Sequence, residues 1–498
     1  MKLLNIFTNK VTYLLFLILI TISWLSAIRS SNLNIEYISN GLLIVLSVLA
    51  LAIFVILKLF PKISKFFKKW QTLAVCSAIV LGFQLYFVLS SSTKIGYDVT
   101  SVYNAQWQPD DGFIKFYFSL NPNNLNILFL QMKLRDIFGL GLSWQNLGLL
   151  TLILVDLAVV FNTLTVAMLN KKLVLHSTYI QLTGLLVFPY IIVPYTDTWS
   201  MFFVALYLFI FVLANKTEKL YLKIILTLFL GITAAFACFI KPSAVIPFIA
   251  IVIWWLISTD KMFLRIILLT FTLLTFIGTT YTLSNKVSEQ NYITITPNKS
   301  KPLLHFISIG MEGTGGYSLE QDQAMMRAKN MHERNEYSLK RIDKNLKQIG
   351  PVGYIKWLLF KQKNNTADGS LGWMADGNLA EATPKNWIQN IYYTTGKYIK
   401  DFQFVAQLWW IALLTFIFLG FKNKTSGVQF FRLALLGGFI FLLIFEGGRS
   451  RYLIQFMPCF IILASLCYPN TSSLLKGFLQ VIKNNITYLK KAEQISQK

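Results

Sequence analysis

YLKIILTLFLGITAAFACFIKPSAVIPFIAIVIWWLIS, residues 221–258, contains two long apolar runs that are separated by little more than Lys241 and Pro242. A helix needs about 20 mostly apolar residues to cross the hydrocarbon core of a bilayer, and each run approaches that length. Lys223 is the one charged residue within the two runs. The stretch therefore predicts two membrane-spanning helices that are joined by a short turn.

Similar runs recur along the whole chain and predict an all-α polytopic membrane protein with about twelve transmembrane helices. The first run follows Lys2 and Lys10, as in a cleaved signal, but further apolar runs follow it, so we interpret it as a span that stays in place. The predicted spans are residues 11–28, 40–60, 72–91, 146–169, 174–193, 197–214, 221–240, 243–258, 263–283, 405–421, 429–446 and 451–468.

The composition supports this class. The chain has 498 residues, of which 55% are hydrophobic and only 14% are charged, against about 25% charged in soluble proteins. The net charge of +24 comes largely from lysines in short loops, so it does not predict nucleic-acid binding. The four cysteines lie inside apolar runs and the three histidines are scattered, so we expect neither a disulfide framework nor a zinc site.

The distribution of basic residues predicts the topology. Residues 124–138 form a shorter apolar stretch with Lys133, Arg135 and Asp136 near its end, and burying these charges in lipid would be costly. If this stretch does not cross, the lysine-rich loops lie on the cytoplasmic side, as the positive-inside rule requires. We therefore expect a re-entrant or interfacial helix there, both termini in the cytoplasm and a location in the cell membrane.

This topology divides the chain into six segments. Residues 92–140 form an outer loop that includes the interfacial helix, and residues 284–404 are long enough for a small extracellular domain. The basic tail is expected to lie on the inner leaflet. The predicted segments are 1–91, 92–140, 141–283, 284–404, 405–468 and 469–498.

The outer loop offers the first candidate for chemistry. Asp98, in GYDVTSVYNAQ, stands just after the third predicted span, where a carboxylate can act as a general base on an incoming hydroxyl. The alternative is a solvated aspartate at a helix N-cap. Asn123, in the following LNPNN, is either a substrate contact or part of a plain helix entry.

Further polar residues fall at predicted outer span ends. Asp197 lies in the short connection VPYTDTWS, and polar groups at such positions are candidates for function, with an N-cap as the alternative. Lys241, Arg449 and Arg451 also lie at outer span ends, and arginine matches phosphate oxygens bidentately. The three cations either converge on one anionic headgroup or anchor their helices separately.

The long outer segment begins with KPLLHFISIGMEGTGGYSLEQDQ, which contains His305 and Glu312 within a glycine-rich turn. The pattern of a phosphate-binding loop, GxxxxGK[ST], is absent. Further on, Trp373 and Asp376 in SLGWMADGN suit sugar recognition, although tryptophan is also common at the membrane interface.

Taken in order, these motifs resemble those of the GT-C glycosyltransferases, the membrane-embedded enzymes related to protein O-mannosyltransferases and aminoarabinose transferases, most closely the versions found in Gram-positive bacteria. The resemblance covers about residues 70–468 and rests on Asp98 opening the first large outer loop, LNPNN, PYTDT, KPS, HFISIGMEGTGGY and the terminal EGGRSRY. The usual YPNN is LNPNN here, two additional spans precede the loop, and Asp98 stands alone where many relatives have two acidic residues. The last difference leaves the use of a divalent metal open.

The resemblance implies transfer of a sugar from a polyprenyl-phosphate donor to an acceptor on the outer face of the membrane. Asp98 would be the general base, and Lys241, Arg449 and Arg451 would bind the departing lipid phosphate. The acceptor would be a cell-envelope glycan, teichoic acid, a glycolipid or a protein. By matching position, the remaining substrate-binding candidates are Asn123, Asp197, His305, Glu312, Glu446 and Tyr452.

Two other classes of function remain as alternatives. A secondary transporter or flippase for an envelope precursor would also have about twelve spans and polar residues along its substrate path. A non-catalytic scaffold or polymer-export component is the third class. The sequence does not identify the sugar, the acceptor or the oligomeric state.

Overall fold

The structure is a computed structural model that describes residues 2–44, 46, 63, 65–257, 262–376, 383–474 and 477, with side chains from residue 10 onward. Every regular element in these ranges is helical. The predicted span 40–60 and the basic tail lie mostly outside the described residues. The helices are α1 (Lys2–Ile28), α2 (Trp70–Ser91), α3 (Tyr97–Ala105), α4 (Gly112–Leu120), α5 (Asn124–Phe138), α6 (Trp144–Leu169), α7 (Val174–Leu185), α8 (Thr196–Lys216), α9 (Leu220–Ile240), α10 (Ile246–Ile257), α11 (Met262–Ser288), α12 (Leu303–Ile309), α13 (Leu319–Arg327), α14 (Met331–Thr366), α15 (Trp373–Asp376), α16 (Trp387–Tyr392), α17 (Ile399–Leu419), α18 (Ser426–Ile444) and α19 (Ser450–Leu474).

Within the described ranges, nine helices are long and apolar enough to cross a bilayer: α1, α2, α6, α8, α9, α11, α17, α18 and α19. These helices are apolar on the outside of the bundle as well as inside it. On α2, for example, Val75, Ile79 and Leu81 each expose more than half of their surface. A helix that is hydrophobic on all sides is typical of a membrane span, so the prediction of a multi-spanning membrane protein is confirmed.

One predicted span ends early, and another is shorter than each of the nine helices above. The run 174–193 forms α7 only as far as Leu185, after which Pro189 begins a short 3-10 helix, Pro189–Ile192. Proline lacks a backbone N–H and disfavours α-helix in the residue before it, so the helix stops there. The run 243–258 forms one of the shorter apolar helices, Pro242–Ile257. The number twelve therefore stays a prediction.

Helix α5 joins two neighbouring spans without crossing to the far side of the bundle. Gln145, at the start of α6, donates a 2.9 Å hydrogen bond to the Leu89 carbonyl near the end of α2, so residues 92–143 leave and return at the same end. Within α5, Asn126 donates to the Phe239 carbonyl at 2.6 Å and Gln131 donates to the Pro194 carbonyl at 2.7 Å. The helix thus lies across the ends of α8 and α9.

The described parts of the long segment between α11 and α17 cover this same end of the bundle, which we call the loop end: the end that carries residues 92–143, 289–376 and 383–398. Its backbone meets the outer loop where Thr296 donates to the Ser119 hydroxyl and Lys301 to the Leu120 carbonyl. Gly350, at φ +63°, and Pro351 break α14, and its last turn enters the bundle, where Gln362 bonds to Ser23 of α1. The segment therefore packs into the span ends.

Candidate functional site

Three cations and two buried carboxylates meet at the loop end. Asp197 lies in the first turn of α8 and is 2% exposed. One of its oxygens pairs with the ammonium of Lys241, which follows the last residue of α9. Its other oxygen lies 3.5 Å from Nε of Arg451, in the turn that opens α19. The structure thus brings Asp197, Lys241 and Arg451 together from three different spans.

Asp376 is the second carboxylate of this cluster. Its Oδ1 accepts a 2.7 Å hydrogen bond from Nη1 of Arg449 and lies 3.2 Å from Nη1 of Arg451. The turn before it is shaped by Leu371 at φ +56° and Gly372 at φ +77°, and the Asp368 carboxylate accepts from the Gly372 N–H at 2.9 Å. This turn brings the carboxylate to the two arginines.

The structure changes the interpretation of SLGWMADGN. Trp373 is fully buried and donates its indole N–H to the Tyr392 carbonyl at 2.6 Å, so its ring offers no exposed surface for sugar recognition. Asp376 pairs with arginines that lie more than 70 positions further along the chain. No pattern near Asp376 indicates that pairing, because a sequence gives no distance between separate loops.

Two of the three cations lie against aromatic rings. The Arg451 guanidinium lies 4.9 Å from the ring centre of Tyr97 and 5.3 Å from that of Tyr452, and the Lys241 ammonium lies 5.1 Å from the Tyr452 ring. The Tyr452 hydroxyl donates to Glu446 at 2.6 Å. Burial raises the pKa of Tyr97 above its ordinary value, so this ring stays neutral and supplies its face to the cation.

Asp98 lies beside this cluster, at the first turn of α3 and directly after Tyr97. Its Oδ2 accepts a 2.9 Å hydrogen bond from the Tyr195 hydroxyl. The Tyr195 hydroxyl also lies 3.4 Å from the side-chain oxygen of Asn124, whose amide donates to the Tyr117 hydroxyl at 2.5 Å. Asp98 is partly exposed, whereas Tyr195, Asn124 and Tyr117 are buried.

The LNPNN motif contributes its last asparagine to this arrangement. Asn124 is 3% exposed and bonds within the tyrosine network around Asp98. Asn123, the predicted substrate contact, is exposed and reaches that network only through Asn124, to whose side-chain oxygen its amide donates at 3.3 Å. The sequence predicted a helix start at this motif. Which of the two adjacent asparagines faces the bundle depends on how α5 is rotated about its axis, and the sequence does not give that rotation.

Tyr317 connects Asp98 with the rest of the loop end. Burial raises the pKa of Tyr317, and the nearby carboxylates Asp322, Asp98 and Glu446 raise it further. Its hydroxyl lies 3.4 Å from Asp322, yet half of its surface is exposed. Three carboxylates from different segments therefore lie within electrostatic range of one accessible phenol.

His305 and Glu312 lie further from the cations. His305 is 3% exposed, and burial together with the charge of Lys301 lowers its pKa to about 4, so it is neutral at pH 7. Glu312 binds Nε and Nη2 of Arg341 at 2.7 and 2.6 Å and accepts from Asn345 at 2.8 Å. Burial opposes its charged form, but these bonds outweigh burial and lower the pKa of Glu312.

The described residues contain no group of three or more His, Cys, Asp or Glu side chains placed to hold a metal ion. The donors that do converge are ammonium, guanidinium and phenol groups. This set suits an anion and a hydroxyl compound, since phosphate oxygens accept hydrogen bonds from cationic donors.

An all-helical bundle with many apolar, lipid-length helices defines an integral membrane protein. The chain belongs to a family described as conserved hypothetical integral membrane proteins, whose family model matches residues 4–472. Among curated proteins, none shows significant similarity to the chain. The match spans nearly the whole chain, so the description as an integral membrane protein applies to the chain as a whole.

Proposed function

We propose that this protein is a membrane glycosyltransferase of the GT-C type, which moves a sugar from a polyprenyl-phosphate donor to a cell-envelope acceptor at the outer surface. The observation that carries the proposal is the convergence of Lys241, Arg449 and Arg451 beside Asp98 at the loop end. We further propose twelve crossings with both termini in the cytoplasm, which places this end outside.

In the proposed reaction, an acceptor hydroxyl attacks the anomeric carbon of the donor sugar. The bond between that carbon and the phosphate oxygen breaks, and the polyprenyl phosphate leaves with the bonding electrons. Asp98 takes the proton of the attacking hydroxyl. The Tyr195 hydroxyl, 2.9 Å away, orients the carboxylate, and the acceptor would approach Asp98 from its partly exposed surface.

The cations stabilise the charge that develops on the departing phosphate. Arg449 is best placed for direct contact: a third of its side chain is exposed, and within the described residues it makes one hydrogen bond, to Asp376. Arginine has five N–H donors, so several remain for phosphate oxygens. Arg451 is 7% exposed and pairs with both Asp197 and Asp376. We therefore expect it to hold these carboxylates in place and to stabilise the phosphate through its positive charge.

The remaining candidates take supporting roles in this proposal. Glu446 and Tyr452 form the wall around Lys241, and Asp197 fixes that lysine. His305 and Glu312 make no direct contact with Asp98 or the cations, and Asn123 reaches the Asp98 network only through Asn124, so we assign these three residues to the acceptor side.

The test is sugar transfer by the full chain in lipid nanodiscs, with a panel of radiolabelled polyprenyl-phosphate hexoses and cell-envelope extract as the acceptor. We expect Asp98→Asn to lower the transfer rate by about 100-fold or more, the range of general-base catalysis. Asp110→Asn is the matched control, because Asp110 lies in the same loop with 90% of its side chain exposed. If Asp98→Asn transfers sugar as fast as the wild type, the assignment is wrong. Transport of a labelled precursor by the Asp98→Asn variant, without transfer, would favour the transporter alternative.

A further inference from the structure

Lys361 is a buried lysine that the proposed reaction does not use. It lies near the end of α14 and has no exposed surface. Its ammonium donates to three backbone carbonyls: Gly310 at 2.6 Å, Phe445 at 2.5 Å and Leu443 at 3.2 Å. Among the described residues, it forms no ion pair with a carboxylate. A buried charge is costly unless its donors are satisfied, so this arrangement needs an explanation.

Two of the three acceptors belong to the end of α18. This helix finishes at Ile444, so the carbonyls of Leu443 and Phe445 lie where no further turn of helix can supply N–H donors. A cation at this position satisfies those carbonyls and interacts favourably with the helix dipole. An ammonium has three N–H donors for three acceptors, whereas a neutral amine has only two.

Neighbouring bonds tie the same turn to α14 and to the glycine-rich segment. The Gly447 N–H donates to the Gly315 carbonyl at 2.7 Å, and the Gly448 N–H donates to the Asn365 side chain at 2.5 Å. Gly448 has φ +72°, a conformation that favours glycine. Residues 445–448 are thereby fixed from two sides, immediately before Arg449.

We propose that Lys361 is a positioning residue that anchors residues 445–448 and so sets Arg449 and Arg451 for binding a lipid-linked phosphate. The identity of the anion rests on the proposed function, whereas the anchoring rests on the contacts alone. Lys361 acts through the backbone of the turn and touches no substrate.

The anchoring is tested without any substrate, by hydrogen–deuterium exchange of the full chain in nanodiscs. Lys361→Met keeps the length of the side chain and removes the charge, and Lys363→Met is the matched control, since Lys363 is exposed two positions further along the same helix. We expect the amides of residues 445–452 to exchange about tenfold faster in Lys361→Met and at the wild-type rate in Lys363→Met. Equal exchange in all three proteins would overturn the anchoring.

Asn365→Ala provides a second, milder variant if Lys361→Met does not fold. It removes the acceptor for the Gly448 N–H and leaves the three carbonyl bonds of Lys361 in place, so we expect a smaller increase in exchange over the same residues. Exchange in the wild-type range would again count against the anchoring.

The effect of Lys361 on lipid-phosphate binding is tested by titrating the same proteins with polyprenyl phosphate. We expect about tenfold weaker binding by Lys361→Met, unchanged binding by Lys363→Met, and in the transfer assay a larger effect on the KM for the donor than on kcat. Faster exchange with unchanged lipid binding would overturn this effect and the phosphate role of the arginines, while leaving the anchoring intact.

Discussion

Arg451 and Asp376 should be energetically coupled, and the structure allows the size of the coupling to be worked out. Removing one partner from a buried ion pair costs about 3–5 kcal/mol when the other charge is left alone. Here Arg451→Met leaves Asp376 with Arg449, and Asp197 with Lys241. We therefore expect a smaller loss in the free energy of unfolding, about 2–3 kcal/mol.

Asp376→Asn should cost less, about 1–2 kcal/mol, because the amide oxygen can still accept from Arg449 while the attraction to both cations is lost. Each single variant already loses the attraction between Arg451 and Asp376, so the double variant loses no further energy from that pair. The combined loss should fall short of the sum by about 1–2 kcal/mol, within the range found for residues in contact.

The assay is unfolding of the full chain in mixed micelles by added SDS, followed by tryptophan fluorescence, for the wild type, both single variants and the double variant. Asp110→Asn combined with Arg451→Met serves as the control cycle, since Asp110 is solvent-exposed and pairs with Lys115. That pair should be additive within about 0.5 kcal/mol. Additivity of Arg451→Met with Asp376→Asn would refute a shared network around Arg451.

Three further predictions concern pH and backbone conformation. Burial and the charge of Lys301 lower the pKa of His305 to about 4, so its contribution to stability is present above about pH 6.5 and is lost as the pH falls towards 4. The melting temperature of His305→Phe should therefore depend less on pH in this window than that of the wild type. An equal dependence on pH in the two proteins would contradict the assignment. Gly448→Ala should lower the free energy of unfolding by about 2 kcal/mol or more, because φ is +72° and the added Cβ would collide with the Thr314 carbonyl. Gly139→Ala, at φ +61° with open space around it, should cost only about 1 kcal/mol. Equal melting temperatures of the two variants would contradict this prediction. Burial lowers the pKa of Lys361 to about 7, against the raising effect of Glu446, so the ammonium loses its charge above this pH. The KM for the donor should therefore rise between about pH 7 and 9 in the wild type and stay level in Lys361→Met. The same dependence of KM on pH in both proteins would exclude Lys361 as the titrating group.

Hydrophobic run length and the positions of lysines and prolines were enough to predict a helical membrane protein and the return of residues 92–143 to one end of the bundle. They were not enough to predict where α7 ends, because its apolar run continues through Pro189 and its length alone suggested a full span. Residues 284–404 have the composition of a separate domain, yet Lys361 and Gln362 are buried against spans, which the average polarity of that segment does not indicate.

The candidate site was predictable in part, for a related reason. Asp197, Lys241, Arg449 and Arg451 stand out because the short loops on the predicted outer side hold few charged residues, and the structure brings these four together. Asp376 and Asn124 are ordinary loop and helix-start residues in the sequence. Their importance comes from contacts with segments more than 70 positions away, which only the packing of the bundle determines.

The cation cluster carries no excess positive charge: Lys241, Arg449 and Arg451 are matched in number by Asp197, Asp376 and Glu446, and Asp98 lies beside them. A cluster without such an excess exerts little attraction beyond its own contacts, so an anionic lipid would reach it by lateral diffusion rather than by long-range steering. A phosphate that arrives would bind mainly the N–H donors of Arg449 that its single bond to Asp376 leaves free. Lipid capture would then depend on local geometry, and its equilibrium constant should change little between dilute and concentrated salt.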